Sequence, residues 1–253
     1  MTLNVAGMLA DAWKIAKRDR DPLLGVAGLL LFVPQFGSLL LMQPQPPFPG
    51  FEAEEAKLQA YVAASQQWTL TFGLGMLLAA IVVVLGMLVL TLLYLDPRRL
   101  DVKTALGAAL GLLPRVLLAS LLISMPLAVS LQVMPLLILP ALYLEGRLLL
   151  VIPVLVAARP LSVAGAVRRS WALTRGHGLV LAGVACITFF AGPILASPFA
   201  ILGKSLDGAP LANPVVAAIL DGAAAAGLTI GGIAAVLIQV LLYRRLSPSS
   251  RGI

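Results

Sequence analysis

The sequence predicts an all-α fold: a polytopic membrane helix bundle with six transmembrane helices. Three observations carry this. First, 60% of the 253 residues are hydrophobic and 11% are charged, whereas a soluble domain carries about 25% charged residues; a soluble fold is excluded. Second, the apolar residues fall in runs that suit six crossings of about 20 residues each. Third, the chain resembles itself at a shift of 158 residues. The expected architecture is one integral membrane domain, 1–253, in three pseudo-repeats over about 3–95, 100–157 and 161–243, each an interfacial helix plus two spans.

The elements follow in order. Residues 3–21 form an amphipathic, charged segment with Trp13, Lys14, Lys17, Arg18 and Arg20. Pro22 to Met42 is the first span, interrupted at Pro34. The Pro-rich stretch Gln43 to Gly50 cannot continue a helix. Glu52 to Gln67 reads as a short helix on the solvent side, and Leu70 to Leu95 as the second span. Arg98, Arg99, Asp101 and Lys103 make a basic loop. The long apolar stretch up to Val156 suits two crossings, near Leu112–Leu131 and Met134–Ala157, with the turn at Gln132–Pro135. Leu179 to Leu202 is the fifth span, with Pro193 and Pro198 inside it. Gly203 to Pro214 is a loop, and Val215 to Tyr243 is the sixth span. Its Gly227-x-x-x-Gly231 offers close helix approach, within the chain or to a second copy.

Lys and Arg set the orientation. The N-terminus, the regions 96–115 and 159–175, and the C-terminus hold 15 of the 18. The opposite loops hold Lys57 and Lys204, and Arg147 lies inside a span. Positive charge collects on the cytoplasmic side, so both termini are expected in the cytoplasm and the protein in the cytoplasmic (inner) membrane. An even number of spans agrees independently.

The stretch Leu161 to His177, LSVAGAVRRSWALTRGH, lies between two apolar runs. Ser162 is a good N-cap. Arg168 and Arg175 share a face, with Arg169 beside it, and Trp171 suits the headgroup boundary. A basic amphipathic helix with a Trp is an interfacial segment. Shifting by 158 lays Leu3, Val5, Ala6, Gly7 and Trp13 over Leu161, Val163, Ala164, Gly165 and Trp171. A weaker copy starts at Leu100-Asp101-Val102.

Glu145 and Arg147 fall near the middle of the fourth span, where each costs ~2.5–3.5 kcal/mol. Two residues apart on a helix, they point about 200° from one another and cannot neutralise each other. Each needs another partner, and Asp221 in the sixth span is the candidate for Arg147. Together the three define a candidate intramembrane polar site. The net charge of +7 sits beside apolar runs, which points to anionic lipid and not to nucleic acid. Cys186 lies alone in an apolar run, without metal-ligand company, and reads as a packing residue. No zinc motif, phosphate loop or Ser/His pair within spans occurs. Neither a catalytic residue nor a metal or cofactor site is therefore expected.

Ala166, Arg169, Ser170, Trp171, Leu173, Thr174, Gly176 and His177, preceded by Arg147 and Pro153, carry a family resemblance. This run resembles the bacterial group that includes the glycerophosphoryl diester phosphodiesterase membrane domain and the YciC-like proteins. The resemblance implies a six-helix membrane module. It does not imply phosphodiesterase chemistry, which in relatives belongs to a separate soluble barrel. The expected function is that of a non-catalytic membrane protein whose basic interfacial helices engage anionic lipid or a protein partner. Lipid contacts are expected from Trp13, Lys14, Lys17, Arg18, Arg168, Arg169, Trp171 and Arg175. The alternative is a transporter or channel for a lipid-like or anionic small molecule.

Overall fold

The computed structural model describes residues 4–43, 45–50, 52–98, 100–132, 135–206 and 213–247. Among the described residues ten α-helices form: α1 Val5–Arg18, α2 Arg20–Ala27, α3 Val33–Leu41, α4 Glu55–Leu95, α5 Val102–Gln132, α6 Ile138–Leu148, α7 Val151–Ala157, α8 Val163–Leu173, α9 Gly178–Leu206 and α10 Pro214–Leu246. Among the described residues there is no strand. Six segments are long and apolar enough to cross a membrane: Arg20–Leu41, Glu55–Leu95, Val102–Ser130, Ile138–Ala157, Gly178–Gly203 and Pro214–Leu246. The protein is an all-α, multi-pass integral membrane protein.

Local chemistry explains most boundaries. Asn4 Oδ1 accepts from the Gly7 amide at 2.9 Å and caps α1. Ser162 Oγ accepts from the Gly165 amide at 3.2 Å and caps α8 in the same way, 158 residues on. Asn213 caps α10 through the Val215 amide at 2.9 Å, with Pro214 in the first turn, where its missing N–H costs nothing. Pro34 does not end the first span. A π-helical turn over Gly28–Phe32 precedes it, widening the ladder where proline supplies no donor. The Gln35 amide donates to the Leu31 carbonyl at 2.9 Å.

Three expectations need correction. The solvent-side helix at Glu52–Gln67 and the second span are one helix, α4, of 41 residues. Glu55 to Trp68 contains no Gly or Pro to stop it, and the preceding strand of chain packs along it. Trp68 Nε1 donates to the Gln43 carbonyl at 2.8 Å, and Phe48 meets Tyr61 edge-on with ring centroids 5.4 Å apart. The third surface helix, expected from Leu100, is likewise not separate: α5 runs unbroken through Pro114 and Pro126. The fourth span is the reverse case, broken between α6 and α7 at Leu149–Leu150. Pro153 lacks the N–H that would bond the Leu149 carbonyl and crowds it, so the helix must restart. Of the turn placed at Gln132–Pro135, Val133 and Met134 lie outside the described residues. So do Arg99, Asp207 and the tail from Pro248.

Packing closes the spans into a ring, α3 to α4 to α5 to α6 to α9 to α10 and back to α3, and α7 packs against α4, α5, α8 and α10. Leu88–Leu92 of α4, Ala105–Val116 of α5, Leu148–Val156, Leu181 and Val184 of α9, and Val236–Tyr243 of α10 supply one buried core. All of these lie toward one end. At that end Arg245 pairs with Asp11 at 2.7 Å, and Arg244 donates to the Tyr94 carbonyl. The first helix and the last therefore meet at the same face, the basic end. The α9–α10 hairpin is drawn tight by small residues. A side chain at Gly227 would lie 2.8 Å from the Leu195 carbonyl carbon, and one at Gly231 would collide with the Gly192 backbone. The Gly227-x-x-x-Gly231 face is thus consumed inside the chain.

Two predictions follow from this packing. Gly231→Val separates α9 from α10 and destabilises the protein by about 1–3 kcal/mol, the usual range for an overpacked contact. Thermal unfolding in detergent reads it, and an unchanged midpoint would contradict the close approach. The second concerns the turn after α4. Asp96 accepts from Arg98 Nη2 at 2.8 Å and from its Nε and backbone amide at 3.0 Å each. Those bonds hold its carboxyl below the ordinary 3.8, at about 2. A depressed carboxyl contributes stability above its unfolded pKa and loses it as pH falls through the folded one. The turn should stay closed at pH 4 and open toward pH 2, with Asp96→Asn removing the step. Exchange of the Arg98 amide measures this, and opening already at pH 4 would refute it.

Candidate functional site

Arg147 is the one charged residue buried among the described residues, 4% exposed. It occupies the last turn of α6, immediately before the break that Pro153 imposes. Its guanidinium meets the C-terminal turn of α8. Nη1 donates to the Thr174 carbonyl and Nη2 to the Trp171 carbonyl at 2.8 Å. The guanidinium carbon lies 4.4 Å from the centroid of the Trp171 ring. The last carbonyls of a helix have no intrahelical donor and carry its negative dipole end. A cation that donates to two of them both caps the helix and is compensated by it. The planar fork of arginine suits two carbonyls and a stacked ring; a lysine would not. Only Nε is without a partner.

The contact is reciprocal. The Arg147 carbonyl has lost its own donor because α6 stops there. Ser170 Oγ donates to it at 2.8 Å; the single Thr174 hydroxyl proton goes to the Ser170 carbonyl of its own helix at 2.8 Å, with the Arg147 carbonyl 3.3 Å away. Ser170 and Thr174 are each fully buried. Two helix C-termini therefore cap one another through one arginine and the Ser170 hydroxyl. Backbone proximity holds the joint closed. A side chain at Gly146 would lie 2.6 Å from the Ala182 nitrogen, and Tyr143 covers Gly178.

The three residues of the expected intramembrane site are not brought together. Arg147 belongs to the basic end. Asp221 lies two turns into α10 at the opposite end, where the adjacent Gly222 faces Phe36. Its pairing with Arg147 is thereby corrected: the helix break places the guanidinium on the α8 carbonyls instead. Glu145 is half-buried. Among the described residues neither it nor Arg147 is in an ion pair.

The interfacial residues divide into two sets. On α1, Lys14 lies 3.8 Å from Asp11 and Arg18 2.8 Å from Asp19. That bond raises Arg18 and holds Asp19 below its usual range. Lys17 stands over Trp13, 5.0 Å from the ring centroid. On α8, Arg168 and Arg169 are exposed, as are Arg175 in the turn after it and Arg159 before it. Among the described residues Arg168, Arg169 and Arg175 are in no ion pair, whereas Arg159 lies close enough to Asp96 to help hold its carboxyl down. Trp171 is 43% exposed and Trp13 63%. Ser170, Thr174 and Tyr143 were not legible as a site, although Ser170 and Thr174 fall within the run that carries the family resemblance.

No protein-family model, curated protein or solved structure matches the chain.

Arg147→Met leaves two helix-end carbonyls without a donor and should cost about 2–4 kcal/mol. Arg147→Lys recovers part of that loss, and Ser170→Ala with Thr174→Val costs about 1–2 kcal/mol. Unfolding in detergent ranks the variants; a methionine variant as stable as the wild type would sink the reciprocal cap.

Proposed function

We propose that the protein is a non-catalytic module of the cytoplasmic membrane whose basic end rests against an anionic leaflet. The observation that carries this reading is the surface of α8. Arg168 and Arg169 on the helix and Arg175 just after it stand exposed, and among the described residues they are in no ion pair. Each unpaired cation near an anionic surface is worth about 1 kcal/mol. Trp13 and Trp171 belong at the headgroup level beside these charges. The positive-inside tendency then puts this face, with both termini, in the cytoplasm.

Arg147 supports the same reading against transport. A guanidinium sealed in a joint between two helix ends is a fastener and not a passing ion's ligand. The family resemblance is part of the proposal too. Its most specific residues, Ser170, Trp171 and Thr174, serve this joint, as a membrane module without chemistry of its own requires.

The test is reconstitution in nanodiscs containing phosphatidylcholine and phosphatidylglycerol. The wild type should enrich phosphatidylglycerol in the lipid recovered with it, and Arg168→Gln/Arg169→Gln/Arg175→Gln should abolish most of that enrichment. Equal enrichment in the two proteins would overturn the reading, as would labelling of Lys103→Cys, an exposed position in the first turn of α5, from the non-cytoplasmic side in whole cells.

A further inference from the structure

The positions that grip α6 in the second half of the chain have counterparts 158 residues earlier. Ser170, Trp171, Thr174, Gly178, Leu181 and Ala182 correspond to Ala12, Trp13, Ala16, Arg20, Leu23 and Leu24. In the second half, Arg147 meets Ser170, Trp171 and Thr174, Tyr143 covers Gly178, and Gly146 packs on Leu181 and Ala182. In the first half no side chain among the described residues takes that place. The six counterparts instead line a cleft of about 280 Å³. Its far wall is α10, through Ile233, Ala234 and Leu237.

The substitutions between the two halves say what the cleft accepts. Alanines at 12 and 16 replace the two hydroxyls, so nothing there can bond a polar group. Arginine at 20 replaces a glycine, which puts a cation at the rim, in an exposed pair with Asp21 at 3.4 Å. Lys17, stacked on Trp13, adds a second cation that is in no ion pair among the described residues. An apolar slot with cations and a Trp at its mouth is complementary to an acyl chain ending in an anionic headgroup.

We propose that the cleft between α1, α2 and α10 holds one acyl chain of an anionic phospholipid, with its phosphate at Lys17 and Arg20. This rests on the lipid-facing reading of the basic end but is distinct from it. That reading concerns the surrounding leaflet and α8; this one concerns a single retained molecule and α1.

Native mass spectrometry of the full chain, released from the same mixed nanodiscs, tests it. The wild type should retain one phosphatidylglycerol. Lys17→Gln/Arg20→Gln should lower its occupancy on the order of tenfold. Ala16→Phe, which fills the slot, should remove it, while the bulk enrichment that depends on α8 stays unchanged. Undiminished retention in both variants would overturn the site even if bulk enrichment holds. Loss in Ala16→Phe with equal retention of phosphatidylcholine and phosphatidylglycerol by the wild type would overturn the headgroup assignment. Should Ala16→Phe fail to fold, the double variant alone decides. Loss of bulk enrichment in the α8 variant with the single lipid retained leaves the site standing and shows which of the two readings depends on α8.

Discussion

The joint between α6 and α8 is the contact on which the basic end depends. A helix that stops inside a membrane exposes carbonyls to a medium with no water to bond them, and each unsatisfied group there costs several kcal/mol. Here two helices stop near each other, and each supplies what the other lacks. Arg147 brings donors to Trp171 and Thr174, and Ser170 brings one to Arg147. Directly after the joint, α7 fills the core with Val151, Val154 and Leu155. The charge is tolerated because a helix dipole and an aromatic face compensate it in place of a carboxylate.

Concentrating the core at one end gives the two halves of the bundle different characters. The end built from Leu88–Leu92, Leu148–Val156 and Val236–Tyr243 is sealed by side chains and tied by Arg244 and Arg245 to α4 and α1. The spans continue beyond it with large apolar residues turned outward, among them Leu121, Met125, Leu139, Ile194 and Ile201. These suit a hydrocarbon surround.

Hydropathy made the six crossings legible because burial in lipid demands long uninterrupted apolar runs. The breaks and joins were less so. Pro34 and Pro153 both sit inside spans, yet the first is absorbed by a π-turn and the second restarts the helix. The difference lies in what surrounds each, and a single proline does not encode that. The continuity of α4 was missed because charge and polarity suggested a boundary where no helix breaker exists. Arg147 stood out correctly as a costly charge. Its partners did not, since backbone carbonyls leave no mark in a residue string and an acidic side chain was the only partner that sequence could name.

The 41 residues of α4 have a consequence of scale. At 1.5 Å per residue the helix is about 60 Å long, twice the ~30 Å depth of the hydrocarbon. Its first turns, from Glu55 to beyond Tyr61, are braced by Phe48, and they exceed what a single crossing requires: the apolar stretch Leu70–Leu95 alone, 26 residues, is long enough to span. The molecule is therefore a mast as well as a bundle.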